Sequence, residues 1–407
     1  TDLTVWHGNL SGIQRVVYEM AVRYAHQPNV EFCYFVEEDR RFYRLGDIDI
    51  LLHPPATDSS AGSSAVVDVK KFTSRIASNI KRGIKVVVPP IVSKLAVYSR
   101  GRFHNFVKQH EGADHVAQAG DIPFNFVDGD ILIVYGAHWD KPHYIAALQN
   151  LKKEYKIRLV HNINDFIPVY DKAHTAEVEH ERFPLYMRAV CELSDMLFFI
   201  SQATRRDYER FISDFNIRNL PYTKVLTLGE DYSQTQPVKP KDISNEPFIL
   251  NVGTLEVRKN PVLLYQVYRR ASELGVELPK LYIVGRMGWL SGDIYYQLVH
   301  DERVNKKVVI RHDIDDSGLA WMYKNCEFFV FPSYYEGWGL PVAEAAHYGK
   351  ASAASSSSSI PEVVGDGAAY FSPYSVDECL KVISKMLDQK TRASHEHRLK
   401  ERAPNTW

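Results

Sequence analysis

Short apolar runs alternate with amphipathic stretches along almost the whole of this 407-residue chain. The runs are too short, and too rich in β-branched and aromatic residues, to be core helices, and several end at Gly, Asp or Ser, where a loop is expected. This alternation is typical of a parallel-sheet α/β fold. The runs predicted as strands are 3–6, 30–36, 131–135, 157–161, 196–200, 248–252, 281–284, 308–310, 328–331 and 368–371.

A polar stretch at residues 234–247, which carries Pro237, Pro240 and Pro247, is the best candidate for a linker. It divides the chain into two predicted doubly wound, Rossmann-like domains, residues 1–236 and 247–390, followed by a C-terminal segment, residues 391–407. Open parallel sheets bind ligands beyond the carboxyl ends of their strands. Two such domains that face each other would place a ligand cleft between them.

The overall composition argues against several classes of protein. The formal charge is -1, from 49 Lys and Arg against 50 Asp and Glu, whereas nucleic-acid-binding proteins are usually strongly basic. No stretch approaches the roughly 18 apolar residues of a membrane-spanning helix, and the first residues do not resemble a secretion signal. The four cysteines lie far apart, so we expect small buried apolar residues in a cytoplasmic chain.

Residues 69–110 contain ten Lys and Arg residues and no Asp or Glu, and apolar residues are interleaved with these cations. One interpretation is a pair of helices with solvated basic faces. The other is a surface that docks reversibly on anionic lipid headgroups, where each cation contributes about 1 kcal/mol. The second interpretation would bring the chain to the inner face of the cell membrane.

Residues 251–260 lead from a predicted strand into a glycine turn and then to two adjacent cations, in the sequence Asn-Val-Gly-Thr-Leu-Glu-Val-Arg-Lys-Asn. Such a pair of cations after a turn is often a solvated loop. At the carboxyl end of a domain's first strand, however, Arg258 and Lys259 could grip a diphosphate. Arg offers a planar fork and Lys a point charge, so together they suit two phosphates.

Residues 331–344 contain a strand end, a glycine-bearing loop and Pro341, which is placed for the first turn of a helix. Backbone N–H groups at a helix start bind anions. Glu336 lies on the loop and Glu344 on an early helical turn, so both could reach one ligand and accept hydrogen bonds from its sugar hydroxyls. Either glutamate alone could be an ordinary surface residue, but the spacing of Glu-Gly-x-Gly-Leu-Pro-x-x-Glu argues against that for the pair.

These two segments resemble the family-4 retaining glycosyltransferases, which have the two-domain GT-B fold. The family signature, two glutamates with seven residues between them, stands here as Pro332-Ser333, Glu336-Gly337-Trp338-Gly339-Leu340-Pro341 and Glu344-Ala345. The first half matches more loosely, at Ser11-Gly12-Ile13-Gln14-Arg15 and Asn164-Asp165-Phe166-Ile167-Pro168. The resemblance implies an α/β GT-B fold, in which two doubly wound Rossmann-like domains face a cleft. The first domain would bind the acceptor and the second a nucleotide-sugar.

The resemblance also implies a role for each matching residue. Arg258 and Lys259 would neutralise the leaving nucleoside diphosphate. Glu336 would contact the transferred sugar, Glu344 the ribose, and the loop 310–317 would flank the base. The implied catalytic residues are Glu336, Arg258, Lys259, Asn164 and Asp165. The implied donor-binding residues are Gly12, Gly253, Arg258, Lys259, Ile310, Gly337, Gly339, Leu340 and Glu344.

No cofactor and no metal ion is expected, because two cations and helix N-termini would neutralise the leaving group. Two features depart from the family pattern. Many relatives have His-Asp where this chain has Asn164-Asp165, and Asn164 can hydrogen-bond a hydroxyl but cannot titrate near neutrality. His161 either takes that histidine's role or is a structural histidine at a strand end. Relatives also continue into a helix that crosses back to the first domain; here it is either absent or replaced by a short one.

His138, Trp139 and Asp140 are the candidate acceptor-side residues. They follow a predicted strand, and an aromatic ring beside polar groups suits a sugar, although a plain βα loop would explain them almost as well. Trp338 could likewise stack on a sugar or pack its own loop.

The expected function is the retaining transfer of a hexose to a hydroxyl of a glycan or lipid-linked oligosaccharide in bacterial surface polysaccharide synthesis, such as lipopolysaccharide. GDP-mannose is the leading donor, because the first-loop pattern resembles enzymes of bacterial polysaccharide assembly. dTDP-rhamnose, GDP-linked deoxysugars and UDP-hexoses remain open. Two alternatives are a non-catalytic GT-B module that binds sugar nucleotide or glycan, and a transferase that acts on a small metabolite.

Overall fold

The structure, a computed structural model, describes residues 12–25, 27–45, 122–136, 138–230, 236–402 and 405. Helix α1 (Gly12–Tyr24) is followed by strands β1 (Cys33–Val36) and β2 (Arg41–Arg44), which pair antiparallel. The prediction of residues 30–36 as part of a parallel sheet was therefore wrong. The turn between β1 and β2 is too short for the crossover that parallel pairing requires. The predicted strand 3–6 lies outside the described residues.

Among the described residues, the sheet of the first half has four parallel strands, in the order β3 (Ile131–Val134), β4 (Arg158–Ile163), β5 (Met196–Phe199) and β6 (Tyr222–Val225). The first three were predicted to within a few residues. β6 was missed because it is an edge strand in which exposed and half-buried residues alternate, and it contains no apolar run. After α1, the described part of this half contains helices α2 (Tyr144–Glu154), α3 (Ile167–Tyr170), α4 (Glu177–Leu193) and α5 (Gln202–Asp214).

Six parallel strands form the sheet of the second half: β7 (Phe248–Val252), β8 (Lys280–Val284), β9 (Val308–Arg311), β10 (Phe329–Phe331), β11 (Ser352–Ser355) and β12 (Ala368–Phe371). Their order across the sheet is β12-β11-β10-β7-β8-β9. The chain thus builds outward from β7 in one direction, returns beside β7, and builds outward in the other. This is the doubly wound order predicted from the sequence.

The sheet of the second half is covered by helices α6 (Pro261–Leu274), α7 (Gly292–His300), α8 (Asp316–Asn325), α9 (Leu340–His347), α10 (Ile360–Val364), α11 (Val376–Met386) and α12 (Gln389–Glu401). β11 was not predicted, because Ser-Ala-Ala-Ser carries no β-branched or large apolar residue. All of its side chains are nevertheless buried, and their small size lets α9 and α10 pack close to the strand. Residues 236–247, between the two sheets, form no helix or strand.

Glu362 of α10 joins the two halves at the start of α5. Its carboxylate accepts hydrogen bonds from the backbone N–H groups of Gln202 at 2.6 Å and Ala203 at 2.8 Å. Beside it, the Tyr335 hydroxyl donates to the Asp207 carboxylate. A carboxylate at a helix N-terminus is favoured by the helix dipole. These contacts therefore hold the signature loop against the first half.

The C-terminal segment also contacts the first half. Helix α12 packs its Leu399 side chain close to Gly367 in the second half. Just beyond the helix, the Arg402 guanidinium pairs with the buried Glu230 carboxylate, and the Glu230 backbone N–H donates to the Asn405 carbonyl at 2.9 Å. A short C-terminal segment thus reaches back across the cleft.

Within the described ranges, no helix combines the length and the apolar character needed to cross a bilayer. The basic span 69–110 lies outside the described residues, so its docking on a membrane stays a prediction. Cys191, Cys326 and Cys379 are buried and Cys33 is half-buried, each with an unpaired thiol, as expected for small apolar core residues.

Candidate active site between the two halves

The loops that follow β7 and β10 carry the motifs singled out in the sequence. These strands are neighbours in the sheet, yet the chain leaves them in opposite directions. A crevice opens beyond the carboxyl ends of two strands arranged in this way. The loop after β7 leads through Gly253 to a 3-10 turn, Val257–Lys259, and the loop after β10 leads to Glu336.

Asn260 ties these two loops together. Its backbone is left-handed, with φ of 57°, a conformation that Asn tolerates better than most residues. Its side-chain oxygen accepts from the backbone N–H of Leu263 and so caps α6, while its amide donates to the carbonyls of Pro332 at 3.1 Å and Pro373 at 2.9 Å. The turn that carries Arg258 and Lys259, here called the cation turn, is thereby fixed against the start of the signature loop, which carries Glu336.

Glu336 lies between the two cations. Its Oε1 accepts from Lys259 Nζ at 2.6 Å and its Oε2 accepts from Arg258 Nη1 at 2.9 Å. The other end of the Arg258 guanidinium donates to Glu256 Oε1 at 2.8 Å. The side chain of Glu336 is only 8% exposed, and the Ser359 hydroxyl donates to its carbonyl at 2.8 Å. The signature glutamate and the cation turn therefore form one buried charged cluster.

Burial and charge act in opposite directions on this cluster. Burial raises the pKa of Glu336, but Arg258 and Lys259 outweigh it and lower the pKa to about 2. Burial lowers the pKa of Lys259 below its ordinary value, even though Glu336 opposes that shift. Burial alone would lower the pKa of Arg258, but Glu336 and Glu256 outweigh burial and raise the pKa above its ordinary value. Glu336 is therefore ionised and Arg258 protonated throughout the neutral range.

Glu344 lies on α9, one turn beyond the signature loop. Its Oε1 accepts from Arg15 Nη1 of α1 at 2.6 Å, and its Oε2 accepts from the Tyr323 hydroxyl at 2.8 Å. Gly339, with φ of 115°, provides the left-handed turn by which the chain enters this helix. The carboxylate predicted to bind ribose thus faces the first half across the cleft.

Gly337 is where the backbones of the two halves come into contact. A Cβ atom on Gly337 would lie 2.2 Å from the Asn164 carbonyl oxygen. The Thr204 hydroxyl donates to that same carbonyl at 3.1 Å. No side chain fits at residue 337 without moving the backbone of one half, which explains glycine at this point of the signature.

A cavity of about 530 Å³ opens between the halves. Of the predicted donor-binding and catalytic residues, the cavity walls include Asn164, Asp165, Gly253, Arg258, Lys259, Glu336, Gly337, Gly339, Leu340 and Glu344. Ile310 is not among those walls: it packs from β9 against the apolar core, while its neighbours Arg311 and His312 line the cavity. Gly12 is the first residue of α1, and its contact with the donor stays a prediction.

A second cavity, of about 260 Å³, adjoins the first on the side of α4. Asn164, Asp165 and Arg258 line both cavities, so they stand where the two spaces meet. Of the predicted acceptor-side residues, Trp139 lines this second cavity. His138 and Asp140 do not: the first is buried and stacks on Tyr144, and the second is exposed.

Two residues with open interpretations can now be placed. His161 is buried in β4, where its Nδ1 lies 2.8 Å from the Ser194 hydroxyl, and it lines neither cavity. Burial lowers its pKa to about 4, so the ring is neutral near neutrality. Trp338 is 2% exposed and belongs to the apolar core beneath the signature loop, so it packs that loop while touching the larger cavity.

Sequence reasoning missed several residues that line these cavities. Arg15 belongs to a motif that was noted, but its ion pair with Glu344 spans 329 residues and no local pattern signals it. Glu179 and Trp289 lie on ordinary amphipathic or loop segments, whereas Asp316 falls within the loop 310–317 that was expected to flank the base. Glu256 stood within the cation turn, and its position two residues before Arg258 was the one signal that could have identified it.

In the part of the chain that the structure describes, no group of three or more His, Cys, Asp or Glu side chains could hold a metal ion. The charges that gather at the crevice are instead those of Arg258, Lys259 and the carboxylates beside them. The expectation that no metal takes part in the reaction stays a prediction.

Comparison with known proteins finds a family model that matches the second half of the chain. Residues 233–406 match the family described as Glycosyl transferases group 1. The chain is 27% identical over 315 residues to the serotype-specific mannosyltransferase WbdA of Escherichia coli, which covers 74% of this chain and 38% of that protein. It is 34% identical over 185 residues to the O-antigen chain mannosyltransferase B of Escherichia coli, which covers 41% of this chain and 48% of that protein. The chain thus spans less than half of the length of these curated relatives.

Solved structures with a similar fold include sucrose-phosphate synthase from Thermosynechococcus elongatus, with a TM-score of 0.51, 18% identity, and coverage of 75% of this chain and 74% of that one. They also include an α,α-trehalose-phosphate synthase from Burkholderia xenovorans, with a TM-score of 0.51, 15% identity, and coverage of 68% and 69%. At such identities the likeness bears on the fold alone. It confirms the predicted GT-B fold with two Rossmann-like halves.

Proposed function

We propose that this chain, whose residues 233–406 belong to the group 1 glycosyltransferases, transfers a hexose from a nucleoside diphosphate to a hydroxyl of a growing bacterial surface glycan. The observation that carries the proposal is the Glu336 carboxylate held between Arg258 and Lys259 at the mouth of the inter-half cavity. The two cations suit a diphosphate, and the carboxylate between them suits sugar hydroxyls. A nucleotide-sugar contains both of these groups.

The leaving group of such a transfer is a nucleoside diphosphate, on which negative charge builds up. Arg258 and Lys259 are fixed in position before the substrate arrives, because Asn260 and Glu336 hold them. Preorganised cations of this kind stabilise a departing anion without a metal ion. Retention of anomeric configuration is part of the proposal and rests on the resemblance to the family, since no distance in the site decides it.

We infer that the donor is GDP-mannose. Two curated relatives from Escherichia coli carry the word mannosyltransferase in their names, which supports mannose. Asp316, at the start of α8, lines the end of the cavity near the loop 310–317. Guanine presents its ring N–H and its amino group side by side, and a carboxylate accepts from both. An acidic residue here therefore favours guanine over uracil or thymine.

The acceptor in this proposal is a glycan or lipid-linked glycan of a bacterial surface polysaccharide. The name of one relative, an O-antigen chain mannosyltransferase, supports that class of product. Work at the inner face of the cell membrane, with residues 69–110 on anionic lipid, remains part of the proposal. Co-sedimentation with anionic vesicles that weakens as salt rises would support it.

Paired glutamine variants test the site. We expect Glu344→Gln to weaken nucleotide binding by about 10- to 100-fold, because a charged hydrogen bond is lost, whereas Glu336→Gln lowers turnover. Glu277→Gln is the control, since Glu277 is 88% exposed and pairs with Lys307 on the surface. Transfer at the parent rate by both site variants would overturn the assignment. NMR of the product anomer decides retention.

A thermal-shift screen against nucleoside diphosphates tests the donor. A ligand at 100 times its dissociation constant stabilises the folded protein by about 2.7 kcal/mol. We expect GDP to give the largest shift, and Asp316→Asn to reduce the GDP shift while leaving a UDP shift unchanged. A larger shift with UDP or dTDP than with GDP would overturn the choice of donor.

A second candidate function is a non-catalytic module that binds sugar nucleotide or glycan. The observation that favours it is Asn164, which stands where many relatives have a titratable histidine and which lines both cavities. Donor hydrolysis or sugar transfer above background excludes this candidate. Nucleotide binding without either reaction would favour it.

A further inference from the structure

Carboxylates make up most of the charged lining of the smaller cavity. Three carboxylate side chains line it: Asp165 after β4, Glu179 on α4, and Glu256 from the second half. Burial raises the pKa of Glu179, and Asp165 and Glu256 raise it further.

The positive charge at this cavity is already committed. Among the described residues that line it, Arg258 is the single Lys or Arg. Its guanidinium donates to Glu336 at 2.9 Å, to the Tyr335 carbonyl at 2.8 Å and to Glu256 at 2.8 Å. His174, which also lines the cavity, pairs with Asp171 at 2.7 Å. Because the donor diphosphate is also proposed to contact Arg258, an anionic acceptor would meet three carboxylates and no further Lys or Arg among these lining residues.

Aromatic side chains supply the other part of the lining. Trp139 of the first half and Trp289 of the second lie at the cavity, together with Phe183 and Tyr186 of α4. Sugar rings present apolar C–H faces to aromatic rings and hydroxyl donors to carboxylates. The combination of indole rings, carboxylate oxygens and excess negative charge suits an uncharged polyhydroxylated ligand and disfavours a phosphorylated one.

We propose, resting on the proposed function, that this cavity binds the terminal sugar of an uncharged glycan acceptor and discriminates against acceptors that carry a phosphate on that sugar. Glu179 determines this specificity by accepting hydrogen bonds from acceptor hydroxyls and repelling phosphate. Asn164 and Asp165, which also line the larger cavity, place the accepting hydroxyl beside the transferred sugar. Glu256 is less available to accept hydrogen bonds from the acceptor, because it also pairs with Arg258.

A matched pair of probes tests the charge preference: methyl α-mannopyranoside and methyl α-mannopyranoside 6-phosphate. Binding of each to the full chain, saturated with GDP, is measured by ligand-observed NMR and by competition. We expect the uncharged sugar to bind at least 10-fold more tightly. Failure of methyl α-mannopyranoside to bind, or equal or tighter binding of its 6-phosphate, would overturn the proposal.

Glu179→Gln keeps the shape of the side chain but removes its charge. We expect it to narrow the preference for the uncharged sugar, on the order of fivefold, and Glu179→Lys to reverse it. Glu177→Gln is the control, because Glu177 lies in the same first turn of α4 but is exposed and outside the cavity. An equal change in Glu177→Gln would assign the effect to the helix end and overturn the proposal.

Donor binding and donor hydrolysis are measured on the same samples without acceptor. If GDP binds and donor is cleaved but the sugar preference is absent, the acceptor inference alone fails. If neither GDP nor any other nucleoside diphosphate binds, the proposed function fails, and the sugar-binding result then stands or falls by its own measurement.

Discussion

Arg15 Nη1 of helix α1 donates to Glu344 Oε1 of helix α9 at 2.6 Å, and this ion pair crosses the cleft between the two halves of the protein. The second oxygen of Glu344 is held by the Tyr323 hydroxyl at 2.8 Å. Both oxygens of the carboxylate predicted to bind ribose are therefore engaged. The Arg15 side chain is 28% exposed, whereas Tyr323 is buried, so Arg15 is the partner that a nucleotide can displace.

Replacing Arg15 with alanine separates two consequences of this ion pair. A displaced guanidinium remains beside the cavity, where a diphosphate offers it a new partner. We expect Arg15→Ala to weaken GDP binding by about tenfold, the loss of one charged hydrogen bond, and to leave guanosine binding unweakened. Calorimetric titration with both ligands measures the difference.

The matched control for that variant is Arg23→Ala, which removes an ion pair with Glu19 on the same helix. It should change neither affinity. Tighter binding of GDP by Arg15→Ala would contradict the prediction, since Arg15 would then act as a competitor of the nucleotide and not as its ligand.

Glu336→Gln should also change the pH dependence of donor binding. Burial lowers the pKa of Lys259, and the Glu336 carboxylate opposes that shift. Without the carboxylate charge the pKa falls further, so Lys259 loses its proton at a lower pH. We expect GDP affinity to decline at lower pH in the variant than in the parent, in titrations between about pH 7 and about pH 10. An unshifted alkaline limb would mean that Lys259 does not bind the diphosphate.

Gly337→Ala tests the contact between the halves. Its Cβ would lie 2.2 Å from the Asn164 carbonyl, so one backbone must move. We expect a lower melting temperature, from overpacking that costs about 1–3 kcal/mol, and a lower turnover because Asn164 is displaced. Gly292→Ala, whose Cβ meets no atom within 4 Å, should lower neither. Equal melting temperatures of the two variants would show that the cleft tolerates the shift.

The sequence predicted most of the second half because its signals are local. Phe248–Val252 and Phe329–Phe331 are apolar runs, and the cations and glutamates follow them at fixed spacing. Doubly wound topology then brings the two loops together, since the carboxyl ends of neighbouring strands share one edge. The sequence alone was therefore sufficient to place Arg258, Lys259 and Glu336 in one site.

The rest depended on contacts between distant segments. Nothing near Glu179 or Trp289 in the sequence indicates that α4 and the loop after β8 face one cavity. His138 has the residue type expected at an acceptor site, yet stacking on Tyr144 with ring centroids 4.1 Å apart turns it into the core. Periodicity identifies a βα loop, but tertiary packing decides which of its side chains reach the ligand.

Glu362→Gln should loosen the contact between α10 and α5. The carboxylate accepts from two backbone N–H groups at the start of α5, and glutamine keeps the shape but loses the charge. We expect a loss of about 0.3–2 kcal/mol in stability, and a higher KM for donor because the two halves that line the larger cavity are held together less firmly.

Glu378→Gln is the matched control for Glu362→Gln. Glu378 also accepts from a backbone N–H, that of Ser372 at 2.8 Å, but both groups belong to the second half. Melting temperature and steady-state kinetics compare the two variants. An equal rise in KM for both would assign the effect to the second half alone and not to the contact between the halves.

Asn164→His tests what the departure from the family pattern does to the pH profile. Asn164 lines both cavities and does not titrate, so it contributes no ionisation between about pH 5 and pH 8. An imidazole at this position titrates near pH 6.5, and its protonated form would place a positive charge beside a sugar that itself becomes positively charged in the transition state. We therefore expect kcat of Asn164→His to fall as pH decreases through that range, while the parent and Asn164→Ala show no such limb.

The measurement is kcat against pH for the three proteins at saturating donor. If the histidine variant followed the parent profile, or gained activity in acid, Asn164 would not stand beside the transferred sugar.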